Sequence, residues 1–312
     1  MNADTFTLSR PDGATIHAYR WMPDGEPTAI VQIAHGMAEH AGRYERFAQA
    51  LTGAGYAVYA EDHRGHGRTG EAATLGYFAD DDGWSKVVED MDAVTQHAVA
   101  AHPGLPVVLF GHSMGSFLTR DYAVRHGGDL SAVVVCGTAG DPGMLGKAGA
   151  MIAGVESRVR GRRHPSALMN KLTFGSYNAA FKPTRTDFDW LSRDNAEVDK
   201  YIADPLCGFV CTSGFYGDLL GGLAMVNSDD VVAGLPAELP MLVISGTQDP
   251  VAGKQASGVN AVADQLRWSG VADLTVKLYP EARHELLNES NRDEVTTDVL
   301  AWIAQRLGRS GF

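Results

Sequence analysis

Gly111-His112-Ser113-Met114-Gly115 stands between a short apolar run, Pro106-Val107-Val108-Leu109-Phe110, and a segment of helical character through Phe117, Leu118, Tyr122 and Ala123. A Gly-x-Ser-x-Gly pentapeptide between a strand and a helix is the setting of a nucleophile elbow. The flanking glycines answer a turn too tight for side chains. The serine is held in a strained conformation that lifts its oxygen above the sheet edge. Glycine supplies 36 of the 312 residues, so the pattern alone could arise by chance. The elements around it decide.

Upstream, Phe6 to Ser9 and Thr15 to Trp21 flank the turn Pro11-Asp12-Gly13, which predicts an opening hairpin. Ala29 to Ala34 has the apolar character of a buried strand and ends in His35-Gly36-Met37. Tyr44, Phe47, Ala48 and Leu51 mark an amphipathic helix stopped by Gly53 and Gly55, and Tyr56 to Ala60 is the next strand. Trp84, Val87, Val88, Met91, Val94 and Ala98 form one apolar helix stripe. Past the elbow, Ala132 to Cys136 is a further buried strand. Strands alternating with helices imply a parallel sheet covered on both faces. From Asp141 to Val232 no strand-type run appears, and one helical stripe carries Met144, Leu145, Ala148, Met151, Ile152 and Val155. The alternation resumes with the strand Met241 to Ser245, a helix near Gln255 to Trp268, the strand Leu274 to Tyr279 and a helix through Val295, Val299, Trp302, Ile303 and Leu307. Residues 1–140 and 233–312 are therefore expected to form an α/β core, and 141–232 a helical cap over the strand ends, where such sheets bind ligands. The alternative is a helical layer without a substrate role.

The net charge of −12 argues against nucleic acid and anionic membranes as electrostatic partners. Three cysteines, Cys136, Cys207 and Cys211, make no disulfide framework and suit a reducing compartment. No secretory signal is visible in Met1 to Arg10, and no window approaches the ~20 apolar residues of a membrane span. A soluble cytoplasmic protein is the expectation.

A serine nucleophile needs a base, and the base an orienting acid. Beyond Ser113 only His126, His164 and His284 are available, and His284 follows the final strand, where the base belongs. Asp249, directly after the strand ending at Ser245, is the favoured acid; Asp141, one strand earlier, is its rival. The backbone N–H groups of Met114 and Met37 are the expected donors to an oxyanion. The loop Asp62-His63-Arg64-Gly65-His66-Gly67 looks metal-like, but no Cys or further His at ligand spacing supports zinc, and a packed turn is expected. Cys207 and Cys211 read as small apolar residues. Arg158, Arg160, Arg162, Arg163 and His164 form a basic cluster, read as a solvated face over a site for a phosphate-bearing head group.

His35-Gly36-Met37-Ala38-Glu39-His40, the Asp62–Gly67 loop, the elbow, Asp249-Pro250-Val251 and His284-Glu285-Leu286-Leu287-Asn288-Glu289 occur in the order of the α/β-hydrolase superfamily. Within it the chain resembles the monoacylglycerol lipase and lysophospholipase group. The resemblance implies an α/β-hydrolase fold with a mostly parallel sheet, helices on both faces and an inserted helical cap. It also implies a Ser113–Asp249–His284 triad, an oxyanion hole at Met37 and Met114, no cofactor, and cleavage of an acyl ester through an acyl-enzyme. Lipid-derived small esters are the expected substrates, with transient contact at a membrane surface and no stable insertion. In the cap, Met144 and Met151, with Met169 and Met225, suit an acyl-chain pocket, or simply cap core. Other readings are an esterase, amidase or perhydrolase for other small substrates on the same triad, or a non-catalytic ligand-binding member of the fold.

Overall fold

The computed structural model describes residues 2–308. The chain opens with the hairpin β1 (Asn2–Ser9) and β2 (Thr15–Met22), then runs β3 (Ile30–Ala34), α1 (Glu45–Gly53), β4 (Ala57–Glu61), α2 (Gly67–Glu71), α3 (Gly83–Ala101), β5 (Val107–His112), α4 (Met114–His126) and β6 (Ala132–Cys136). Five helices follow: α5 (Gly143–Arg160), α6 (Ala167–Phe174), α7 (Asn195–Ala203), α8 (Ser213–Val226) and α9 (Asp229–Val232). The chain then returns to β7 (Met241–Gly246), α10 (Ser257–Trp268), β8 (Leu274–Tyr279) and α11 (Arg292–Arg306).

One sheet holds the strands in the order β1-β2-β4-β3-β5-β6-β7-β8. The β1–β2 and β2–β4 pairs are antiparallel and the remaining pairs parallel. The central strands β3 to β7 are covered on both faces and carry apolar residues at most positions, whereas the edge strands β1 and β8 are partly exposed. In β5, Val107 and Leu109 pack with the α3, α4 and α8 side, while Val108 and Phe110 pack with α1 and α11 on the other. In β6, Val133 and Val135 take the first face and Ala132, Val134 and Cys136 the second. The expected α3 stripe, Trp84 to Ala98, is buried throughout.

Two details depart from the periodicity. The helix expected from Gln255 begins at Ser257, because Gln255 and Ala256 take φ of +54° and +56°. More consequential is α5. Its large apolar residues point outward: Met144 is 78% exposed, Leu145 85% and Met151 72%. Its inner face is made of small residues. A methyl at Gly149 would lie 3.1 Å from Leu220 of α8, Ala153 is fully buried, and Ser157 donates to Ser213 Oγ at 3.0 Å. The repeat Gly149, Ala153, Ser157 lets α5 lie close against α8, leaving the bulky stripe on the far side. Between Cys136 and Met241 the described residues contain no strand, only an isolated antiparallel bridge from Pro165 to Thr212.

Candidate active site

The elbow is shaped by backbone contact on all sides. Ser113 takes φ +54° and ψ −119°, and its N–H donates to Cys136 O at 2.9 Å. A methyl at Gly115 would sit 2.1 Å from Ala34 O, and one at Gly111 2.3 Å from Gly115 O. Only glycine fits these two positions. Helix α4 begins at Met114, so the serine stands at the positive end of a helix dipole.

Asp249 and His284 are each 2% exposed. His284 Nδ1–H donates to both carboxylate oxygens of Asp249 at 2.9 Å. Asp249 is itself fixed by the Val251 N–H at 2.8 Å and the Ser245 hydroxyl at 3.2 Å. The imidazole of His284 lies beside the elbow: its centroid is 4.8 Å from that of His112, the residue before Ser113. Asp141, the rival acid, sits elsewhere, accepting the Gly143 N–H at 2.8 Å in an exposed turn. His126 closes α4, and His164 bonds Arg160 on the surface.

The loop after β3 approaches the serine from the other side. A methyl at Gly36 would lie 3.2 Å from Ser113 Cβ. His35 Nδ1–H donates to Gly36 O at 2.7 Å, and His35 Nε2 accepts the His63 N–H at 3.0 Å, which fixes its tautomer. Burial, then the neighbouring His63 and His66, hold His35 far below the usual histidine pKa, so it stays neutral. Gly36 O belongs to the same peptide as the Met37 N–H, so His35 orients that plane. Among the described residues the N–H groups of Met37 and Met114 have no protein acceptor. Met114 directly follows the serine, and Met37 directly follows Gly36, which closes on Ser113.

A buried ionic network supports this loop; Glu39, His112 and Glu285 fall inside the motif stretches, but the sequence assigned no role to them or to Arg43. Glu39 Oε1 accepts the Gly36 N–H at 2.6 Å, the Tyr44 hydroxyl at 2.9 Å and His112 Nδ1 at 3.3 Å. Arg43 bonds Glu39 at 2.5 Å and forks onto Glu285 at 2.7 and 2.8 Å. Burial pushes the Glu39 carboxyl up, but the Arg43 guanidinium and His112 outweigh it and hold it well below the usual range. For His112 burial acts downward and the Glu39 carboxylate more than reverses it.

The Asp62–Gly67 loop is a packed turn. Asp62 accepts the Ala41 and Arg68 N–H groups at 2.9 and 2.8 Å, and Arg64 reaches Asp90 at 2.6 Å and Asp12 at 2.5 Å. The nearest approach to a metal ligand set among the described residues is His40, Asp204 and Cys207, within 4.8 Å of one another. His40 Nε2 already bonds Asp204 at 2.9 Å, and its Nδ1 lacks the acceptor that usually orients a ligating imidazole. Cys211 is fully buried, whereas Cys207 is only partly so. Met144 and Met151 lie at the outer surface rather than in a pocket, while Met169 is buried. The basic cluster is largely paired within the protein: Arg160 with Glu156, Arg162 with Asp218 and Arg163 with Asp80.

A mostly parallel eight-stranded sheet, a glycine-flanked serine between β5 and α4, and a histidine–aspartate pair on the loops after β8 and β7 define an α/β-hydrolase. The family model described as "Serine aminopeptidase, S33" matches residues 25–291, and the chain belongs to that family of hydrolases. It is 34% identical over 296 residues to a monoacylglycerol lipase of Mycolicibacterium smegmatis, covering 92% of each chain. It is 29% identical to the human monoglyceride lipase, over 97% of this chain and 91% of that one. Among solved structures it is similar to a thermostable carboxyl esterase from Bacillus coagulans in complex with glycerol. That match has a TM-score of 0.91 and 28% identity over 98% of this chain and 99% of that one. The protein is a serine ester hydrolase.

Proposed function

We propose that the protein hydrolyses glycerol monoesters of medium or long acyl chains through an acyl-enzyme on Ser113. The observation that carries this reading is the His284 Nδ1–H bond to both oxygens of Asp249 beside a strained, glycine-flanked serine. In the first half-reaction Ser113 Oγ attacks the ester carbonyl as His284 Nε2 takes its proton. Asp249 holds the ring and stabilises the imidazolium. The N–H groups of Met37 and Met114 receive the developing oxyanion, each such donor being worth about 10²–10³ in rate. His284 then protonates the departing alcohol. Water attacks the acyl-serine with His284 again as base, and the free acid leaves.

The substrate class is supported by relatives named as monoacylglycerol and monoglyceride lipases and by the esterase relative described with glycerol. The internal pairing of Arg160, Arg162 and Arg163 favours an uncharged glycerol head group over the phosphate of a lysophospholipid. Segment 141–232 serves as a cap. Its outer surface supports transient docking on a lipid layer, since Leu145, Val159, Leu168 and Leu172 are 85%, 77%, 51% and 56% exposed on α5 and α6. Half-burying four such side chains contributes on the order of 3–6 kcal/mol, enough for reversible attachment. The described residues contain no helix long and apolar enough to cross a membrane. Three free cysteines fit a cytoplasmic location.

The test is hydrolysis of glycerol monoesters, lysophospholipids, short soluble esters and an aminoacyl anilide, with Ser113→Ala as control. Preferred turnover of long-chain glycerol monoesters, abolished in Ser113→Ala, is the expected result. Turnover confined to short esters or to the anilide would reject the lipid substrate and leave the nucleophile standing.

A further inference from the structure

Tyr201 belongs to α7, in the inserted segment, and is 5% exposed. Its hydroxyl donates to Ala38 O at 2.9 Å. The Gly208 N–H donates to the same carbonyl at 2.9 Å and lies 3.1 Å from the Tyr201 hydroxyl oxygen. The Arg43 guanidinium sits 4.8 Å above the centre of the Tyr201 ring, and Arg43 is clamped by Glu39 and Glu285. The ring is thus held from one side and its hydroxyl aimed at one atom.

That atom belongs to an unusual residue. Ala38 takes φ +54°, a left-handed conformation that a residue with a Cβ adopts at a cost of roughly 1–2 kcal/mol. It directly follows Met37. The loop before Met37 is fixed within the core, by His35 on Gly36 O and Glu39 on the Gly36 N–H. The loop after Met37 is fixed at Ala38 O by two donors from the inserted segment. Met37 therefore lies between a clamp from the core and a clamp from the insertion.

We infer that Tyr201 is a positioning residue for the oxyanion site: its hydroxyl holds Ala38 in the left-handed conformation that aims the Met37 N–H at the reacting carbonyl. The inference rests on the proposed acyl-enzyme mechanism. It makes the insertion part of the catalytic apparatus as well as a cover over it. Tyr201 touches no substrate in this role and acts through Ala38, directly and by accepting the Gly208 N–H that shares its bond with Ala38 O.

Tyr201→Phe keeps the ring and its contact with Arg43 and removes one O–H. Because Gly208 still donates to Ala38 O, the loss is smaller than that of a whole oxyanion donor: kcat falls about tenfold with KM within about twofold. Affinity for a boronic-acid transition-state analogue of the ester falls by the same factor, while affinity for the glycerol product does not change. Adding Ala38→Gly to Tyr201→Phe restores about threefold of the loss, because glycine holds φ +54° without strain. Wild-type kcat and analogue affinity in Tyr201→Phe would overturn the inference. So would a loss of kcat without loss of analogue affinity, or one that Ala38→Gly leaves untouched. Any of these three results, in an enzyme that Ser113→Ala inactivates, leaves the acyl-enzyme mechanism intact. Full activity in Ser113→Ala would remove that mechanism and this inference together.

Discussion

At Ser113 the backbone holds φ +54°, which a non-glycine residue keeps only when its surroundings enforce it. Here Cys136 O, the start of α4 and the Ala34–Gly36 backbone enforce it together. Asp249→Asn leaves the geometry but reverses the hydrogen-bonding sense at His284 Nδ1, so kcat drops by about 10⁴ with KM nearly unchanged, measured under steady-state conditions. Glu39→Gln leaves Arg43 with Glu285 alone and weakens the bond to the Gly36 N–H; breaking a buried ion pair in this way costs about 3 kcal/mol in urea unfolding at pH 7. The sign of its pH dependence follows from the depressed folded-state pKa of Glu39. Its contribution is complete above the ordinary carboxyl value of 4.5 and is lost as pH falls through the folded-state value. The gap between wild type and Glu39→Gln should narrow below pH 4.5 and stay constant above it. The proposed triad was legible because its residue types and order are restricted. The Glu39–Arg43–Glu285 network was not, because buried charges read as surface residues until their partners are known.

The elements show where periodicity carries information and where it stops. Strand β6, buried on both faces, announces itself as the apolar run Ala132–Cys136, whereas the edge strand β8, Leu274–Tyr279, alternates apolar residues with Thr275 and Lys277 and is only partly buried; both have the bounds expected from the sequence. The stripe Met144, Leu145, Ala148, Met151, Ile152 and Val155 announces a helix equally well, and a helix is there. Which face turns inward is a different question. Apolar size points to the bulky stripe, whereas the actual contact with α8 uses Gly149, Ala153 and Ser157, whose smallness permits close approach. Nothing in the stripe itself records that choice. Its consequence is measurable. Leu145→Gln combined with Val159→Gln should leave hydrolysis of a short soluble ester unchanged and reduce turnover of long-chain monoester in vesicles at least about fivefold. Equal effects on both substrates would show that the outer face of α5 does not contact the lipid layer.

Across the whole molecule the insertion and the core are joined at the functional residues rather than at a free hinge. Arg283, next to His284, donates to Asp189 O and Ser192 O, and the His284 and Glu285 N–H groups donate to Trp190 O and Leu191 O. Glu289, fully buried, accepts from Arg193 Nε at 2.8 Å and from the Arg193 and Arg283 N–H groups at 3.1 and 2.8 Å. Trp190 packs its ring 5.2 Å from that of His284. Glu289→Gln should therefore lower both the melting temperature and kcat, since the loop carrying the base and the insertion lose one shared anchor. Retained kcat at a lowered melting temperature would confine that anchor to stability. The order of motifs along the sequence implied a single catalytic centre, but not that segments some 95 residues apart lace together beside the base; no local pattern encodes it. The central claim, that Ser113 is the acylated nucleophile, is tested most directly by trapping. Treatment with a fluorophosphonate followed by peptide mass spectrometry should place one adduct on Ser113, with loss of hydrolysis in step with labelling and no adduct in Ser113→Ala. An adduct on another residue, or undiminished ester hydrolysis by Ser113→Ala, would contradict the account.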